Sequence, residues 1–139
     1  MNDQVLHGGC LCGAVTFELR PPFAAMYHCH CSRCRKGTGT GHATNIRAQA
    51  GQVRWLTGES LISRFKLPTA QRFGKWFCSQ CGSPLPRVMP EANLAIIPAG
   101  SVDELPPDTP AVHIFWDSRA PWSCAQGSLP AYAGYPPPA

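Results

Sequence analysis

The chain has 139 residues, 44% of them hydrophobic and 14% charged, with a formal net charge of +4. That length and balance exclude a disordered tail and suit one domain over 1–139 that buries its own core. The charge is no argument for nucleic acid: eight cysteines are counted as neutral in it, and metal-bound thiolates would cancel most of the excess.

No apolar run approaches the ~18–20 residues of a membrane span. The opening "MNDQVLHGGC" lacks the basic and apolar segments of a signal peptide. The expectation is a cytoplasmic chain with reduced thiols, whose clustered cysteines are metal ligands before they are disulfides. Cysteine density, about 6%, also falls below the ~8–10% of short disulfide scaffolds.

In chain order, short runs of strand character appear at "AVTFEL" (14–19), "AAMYHCH" (24–30), "VRWLTG" (53–58), "LISRFKL" (61–67), "RFGKWFC" (72–78), "LAIIPAG" (94–100) and "AVHIFW" (111–116). Several alternate apolar and polar residues, the pattern of a half-buried strand. Fifteen prolines and thirteen glycines leave little room for long helices. A mostly β fold of antiparallel strands is expected, with one short helical turn in "SVDELPPD" before Pro106 and Pro107. The tail "YPPPA" reads as an extended end.

Seven of the eight cysteines fall into three groups: Cys10 and Cys12; Cys29, Cys31 and Cys34; Cys78 and Cys81. The first and third groups each end in Cys-Gly, at Gly13 and Gly82. Glycine supplies the positive φ of a knuckle that turns backbone N–H groups towards thiolate sulfur. Two such knuckles supply four thiolates, a closed tetrahedral zinc site with Zn–S bonds of ~2.3 Å. We therefore expect Cys10, Cys12, Cys78 and Cys81 to hold a structural zinc, and the chain to carry two zinc ions in all.

Cys29, Cys31 and Cys34 remain. Three thiolates and one open position describe a catalytic zinc. Three cysteines make the metal a weak Lewis acid and suit it to capturing a further thiol, which it would hold as thiolate. His28 and His30 should face away from Cys29 and Cys31 along an alternating strand. Two readings stand for them: structural histidines, or a general acid, base or further ligand. His42 follows the glycine-rich "KGTGTG" and is a candidate to line a pocket, whose rim that stretch is read to form because it lacks the P-loop spacing. Arg33, Arg35 and Lys36 either offset thiolate charge or bind the carboxylates of an anionic thiol. Cys124 stands alone and reads as an unliganded thiol. Tyr27, Trp55 and Trp76 read as core, which weakens the competing idea of a non-catalytic zinc module binding nucleic acid, a protein or a small thiol.

The segments "GGCLCGAVTFEL", "YHCHCSRCRKGTG" and "RFGKWFCSQCGSPL", in this order, resemble the glutathione-dependent formaldehyde-activating enzyme family, which includes centromere protein V. The ending "HIFWDSRAPW…GSLPAY" is similar to that family's own, so the resemblance spans about 7–132. It implies the Mss4-like fold of small β-sheets around zinc. It also implies the same division, with Cys10, Cys12, Cys78 and Cys81 structural and Cys29, Cys31 and Cys34 catalytic. The implied activity is a carbon–sulfur lyase reaction on S-hydroxymethylglutathione, with glutathione and formaldehyde as partners. His30, His42 or a water would protonate the alkoxide formed in the adduct-forming direction.

Overall fold

A computed structural model of the protein describes residues 4–104, 106–123 and 129–138. Cys124 lies outside them. The elements are β1 (Leu6–Gly9), β2 (Thr16–Leu19), β3 (Ala25–Cys29), α1 (Ser32–Thr38), β4 (Ala43–Ala48), β5 (Val53–Thr57), β6 (Ile62–Lys66), β7 (Gly74–Cys78), β8 (Pro84–Leu85), β9 (Arg87–Met89), β10 (Leu94–Pro98) and β11 (Ala111–Ile114). All seven expected strands are present, each trimmed by a few residues at its ends.

The strands form three small sheets, ordered β1-β2-β5, β11-β3-β4-β10-β9 and β6-β7-β8. Every pairing is antiparallel except that of β11 with β3. The sheets share one apolar cluster: Phe17 and Leu19 from the first, Ile46 and Ile97 from the second, Ile62 and Leu85 from the third. Phe17 and Trp55, partners across β2 and β5, meet edge to face at 5.8 Å. Such a pair contributes about 0.5–1.5 kcal/mol beyond its buried area.

Alternation along the central sheet decides what reaches the site. On β4, Ile46 and Ala48 are buried in the core, so the neighbouring positions Ala43, Asn45 and Arg47 face the other way, over a cavity. On β3, Tyr27 and Cys29 face that same cavity.

Two expectations move. The helical turn sought in "SVDELPPD" lies earlier, as a 3₁₀ turn over Ala99–Ser101, and Val102 instead bridges to Gly8 of β1. The segment beginning at Ser32 is a helix, not only a glycine-rich rim. Cys31 occupies the N-cap, its sulfur accepting from the Cys34 N–H at 3.4 Å, and Gly39 closes the helix in the left-handed conformation with φ 76°.

Candidate metal centres and reaction cavity

The four knuckle cysteines converge. Cys10 and Cys12 follow β1, Cys78 ends β7 and Cys81 follows it. Their four sulfurs lie within 4.8 Å of one another. Two of the separations are 3.6 Å (Cys10–Cys12) and 3.9 Å (Cys12–Cys78). Four sulfurs at ~2.3 Å from a tetrahedral centre stand about 3.8 Å apart, so the donor set fits zinc.

The glycines behave as the knuckle argument requires: Gly13 has φ 81° and Gly82 φ 77°. Their N–H groups close the turns onto the carbonyls of Cys10 and Cys78, at 3.1 and 2.7 Å. Backbone donors reach the sulfurs, Val15 N–H to Cys10 at 3.3 Å and Gln80 N–H to Cys78 at 3.4 Å.

Ser83 ties the two knuckles together, accepting from the Leu11 N–H at 2.9 Å and lying 3.3 Å from the Cys81 sulfur. The Ser83 hydroxyl and N–H hold the Cys81 thiol down to about 5, so it favours the thiolate a metal needs. Ser83 carries no ligand atom, and the sequence alone gave it no role. Ser83→Ala should weaken metal retention by about 10–100-fold, the usual cost of losing an outer-shell partner. Competition with a chromophoric chelator measures this; unchanged retention would remove Ser83 from the site.

The second cluster forms where β3 runs into α1. Cys29 ends the strand, Cys31 caps the helix and Cys34 lies in its first turn, with the three sulfurs within 4.8 Å of one another. Burial pushes the Cys34 thiol up, and the neighbouring Cys29 and Cys31 add to the shift. Burial also opposes ionisation of Cys31, but the Cys34 N–H, with Cys29 and Cys34 as hydrogen-bonding neighbours, outweighs it and the thiol goes down. Three sulfurs are a donor set that a metal can accept while keeping a position for a further ligand.

Cys29 and Cys34 open on a cavity of about 290 Å³. Its floor is the outward face of the central sheet, and its walls are α1, β7 and the Pro84–Leu85 strand. Four cations line it, Arg47, Arg72, Lys75 and Arg87, and no acid does. Lys75 donates to the Gly37 carbonyl, pinning α1 against β7. Arg87 donates to the Arg72 carbonyl at 2.5 Å, and burial lowers its pKa. Among the described residues none of the four cations has a carboxylate partner within 4.0 Å.

These are not the cations the sequence singled out. Arg33, Arg35 and Lys36 do not line the cavity; on a helix they project around α1 instead of joining its cavity face. Tyr27 also departs from its reading as core, since it lines the cavity, whereas Trp55 and Trp76 pack against the core as expected. Trp76 lines the cavity as well. The rim reading of "KGTGTG" survives at Gly37 and Thr38, both cavity residues at the end of α1.

The histidines gather elsewhere. His28, on the face of β3 opposite Cys29, meets Thr44 Oγ1 at 2.8 Å. His30 is fully buried and contacts His113 Nδ1 at 2.9 Å. The ring of His42 lies 5.2 Å from that of His28 and 4.9 Å from that of His30. Burial, then the neighbouring His42 and His113, lowers the pKa of both His28 and His30, which keeps them neutral near pH 7. None of these histidines lines the cavity.

The profile of the glutathione-dependent formaldehyde-activating enzyme matches residues 5–118. A Halomonas elongata protein named "Putative glutathione-dependent formaldehyde-activating enzyme" is 30% identical over 141 residues, covering 96% of this chain and 90% of that protein. Among solved structures, a Rhodobacter sphaeroides protein aligns with a TM-score of 0.56 at 24% identity. That alignment covers 76% of this chain and 99% of the other, and supports the mostly β fold alone. With profile, relative and cysteine pattern in agreement, this chain belongs to the glutathione-dependent formaldehyde-activating enzyme family.

Proposed function

We propose that the protein is a zinc-dependent carbon–sulfur lyase that joins glutathione to formaldehyde and splits the S-hydroxymethylglutathione adduct. The observation that carries this reading is the three-cysteine cluster opening, through Cys29 and Cys34, on a cavity lined by cations and no acid. Cys10, Cys12, Cys78 and Cys81 would hold a structural zinc, and Cys29, Cys31 and Cys34 a catalytic one. Cysteines that serve as metal ligands suit a reducing compartment, which we take to be the cytoplasm.

A zinc ion at the second cluster would supply the charge that keeps an incoming thiol ionised at neutral pH. The protein's own groups do the remaining work. Arg47, Arg72, Lys75 and Arg87 draw an anionic thiol into the cavity. Phe73, Trp76, Leu85 and Ile114 give it apolar walls, which strengthen each charge contact by excluding water.

A sulfur lone pair then attacks the aldehyde carbon. The new C–S bond forms as the C=O π pair moves to oxygen, and that oxygen takes a proton from water. The reverse sequence is the lyase direction. His30 and His42 are replaced as proton donors by water in this account, because neither reaches the cavity.

Exchange spectroscopy by NMR between glutathione and its formaldehyde adduct tests the reading. The zinc-loaded protein should raise the exchange rate above the uncatalysed background in proportion to its concentration. A rate equal to background at every concentration would overturn it.

A further inference from the structure

The face of the central sheet that floors the reaction cavity continues into a second cavity. On that face Ile96 of β10 stands opposite Arg87 of β9, and two residues along Leu94 stands opposite Met89. Ile96 and Arg87 line the reaction cavity, whereas Arg87, Leu94 and Met89 line a further cavity of about 470 Å³. Residues directly opposite in a sheet share a face, so one floor serves both. Arg72, Phe73, Gly74, Trp76 and Arg87 border the two cavities in common.

Arg87 forms the divide. Its Nη2 donates to the Arg72 carbonyl at 2.5 Å and lies 3.4 Å from the Met89 sulfur. The guanidinium is pressed close to β7, where a Cβ on Gly74 would meet Arg87 Nη1 at 2.9 Å and the Phe65 carbonyl at 2.7 Å.

Beyond the divide the chemistry changes. No cysteine lines the second cavity. Phe65, Phe73 and Trp76 do, with Met89, Ala92 and Leu94. Phe65 is 50% exposed, so folding leaves half of an apolar ring uncovered. The Arg64 guanidinium lies over the ring of Trp76, its partner across β6 and β7, at 4.3 Å. Arg64 is itself exposed, which leaves its outer face open to a further planar ring. The cavity's volume falls within the ~300–1,000 Å³ of small-molecule sites.

Charge in the second cavity is one-sided. Arg64, Lys66, Arg72 and Arg87 line it against a single acid, Glu91. Among the described residues no carboxylate lies within 4.0 Å of any of the four cations. Arg87 is half-buried, and a partly desolvated guanidinium is costly until an anion reaches it.

We propose that the second cavity is a binding site for a planar aromatic carboxylate. The carboxylate meets Arg72 and Arg87 at the divide, as guanidinium forks accept carboxylates. The ring lies over Leu94 and Met89 and extends towards Arg64 and Trp76. Neither cysteine cluster takes part, so the site stands whether or not the protein is a lyase.

Calorimetric titration of the zinc-loaded protein with 2-naphthoate tests it, beside two analogues of similar shape. 2-Naphthamide lacks the charge; decahydro-2-naphthoate keeps the charge and loses the planar ring. Naphthoate should bind one to one, and each analogue at least tenfold more weakly. Arg64→Gln, at an exposed position, should weaken naphthoate about tenfold. Arg47→Gln removes the same charge from the reaction cavity alone and should leave naphthoate affinity unchanged. No binding of naphthoate to the wild-type protein would overturn the proposal, as would an analogue that binds equally well. Loss of affinity in Arg47→Gln, or none in Arg64→Gln, would also overturn it, by placing the acid outside the second cavity.

Discussion

Cys78→Ser is expected to leave a protein that does not fold cooperatively at room temperature. Cys78 is wholly buried, lies within the apolar cluster shared by the three sheets and contributes one of four converging sulfurs. The two knuckles it helps join are 66 residues apart in sequence between Cys12 and Cys78. Metal-binding free energy in such sites is folding free energy, with apparent values of about 10–16 kcal/mol in zinc-finger peptides at neutral pH. Whole domains have only about 5–15 kcal/mol of net stability, so even a fractional loss removes the margin. A loss of about 3 kcal/mol alone would lower Tm by roughly 10 °C in a chain of this size. Thermal unfolding followed by circular dichroism checks it. A Cys78→Ser protein melting with the wild type would break the pairing of the Cys-Gly knuckles. Excess chelator should act on the wild type in the same direction.

Cys31→Ser should have the opposite profile: a folded protein without turnover. The Cys31 sulfur has a second task, accepting the Cys34 N–H that starts α1. A serine hydroxyl is among the best N-caps, so the substitution keeps the helix start. Serine is a poor substitute for a thiolate ligand of zinc, whose soft donors are sulfur. The exchange rate between glutathione and its adduct should therefore fall to the uncatalysed background. The far-ultraviolet spectrum should be retained, and the melting point should fall far less than in Cys78→Ser, because the four-sulfur cluster that joins the sheets is untouched. Because Cys31 lies outside the four-sulfur cluster, its loss and that of Cys78 separate activity from folding.

Much of this was legible in the sequence, for identifiable reasons. Cysteine spacing and the glycines after Cys12 and Cys81 led to the four-sulfur cluster, because a positive φ is a requirement that few residues besides glycine meet. The seven expected strands appear because apolar and β-branched runs between prolines and glycines leave few alternatives. The β1, β4, β8 and β9 strands escaped notice. Pro84–Leu85 is too short to show a period, and "ATNIRA" carries only three apolar residues among polar ones. The helix α1 was hidden by its cap, since Cys31 stands where Ser, Thr, Asp or Asn would signal a start.

The cavity cations were the larger omission. Arg47, Arg72, Lys75 and Arg87 are scattered over 41 residues of sequence: Arg47 and Arg87 meet through the register of the central sheet, whereas Lys75 on β7 and Arg72 just before that strand are brought to the cavity by a second sheet. Arg33, Arg35 and Lys36, by contrast, are conspicuous because they are neighbours, and neighbours on a helix point in different directions. One signal was available: Asn45 and Arg47 form the polar half of β4's alternation, opposite Ile46 and Ala48. That polar face becomes informative once Cys29 is known to face the same side.

The measurement that tests the central claim most directly is zinc stoichiometry, taken together with adduct exchange, on the wild type and on Cys31→Ser. The account predicts two zinc ions per wild-type chain. It predicts one in a folded Cys31→Ser protein, with exchange at background. Exchange above background in a Cys31→Ser protein that holds a single zinc ion would contradict it.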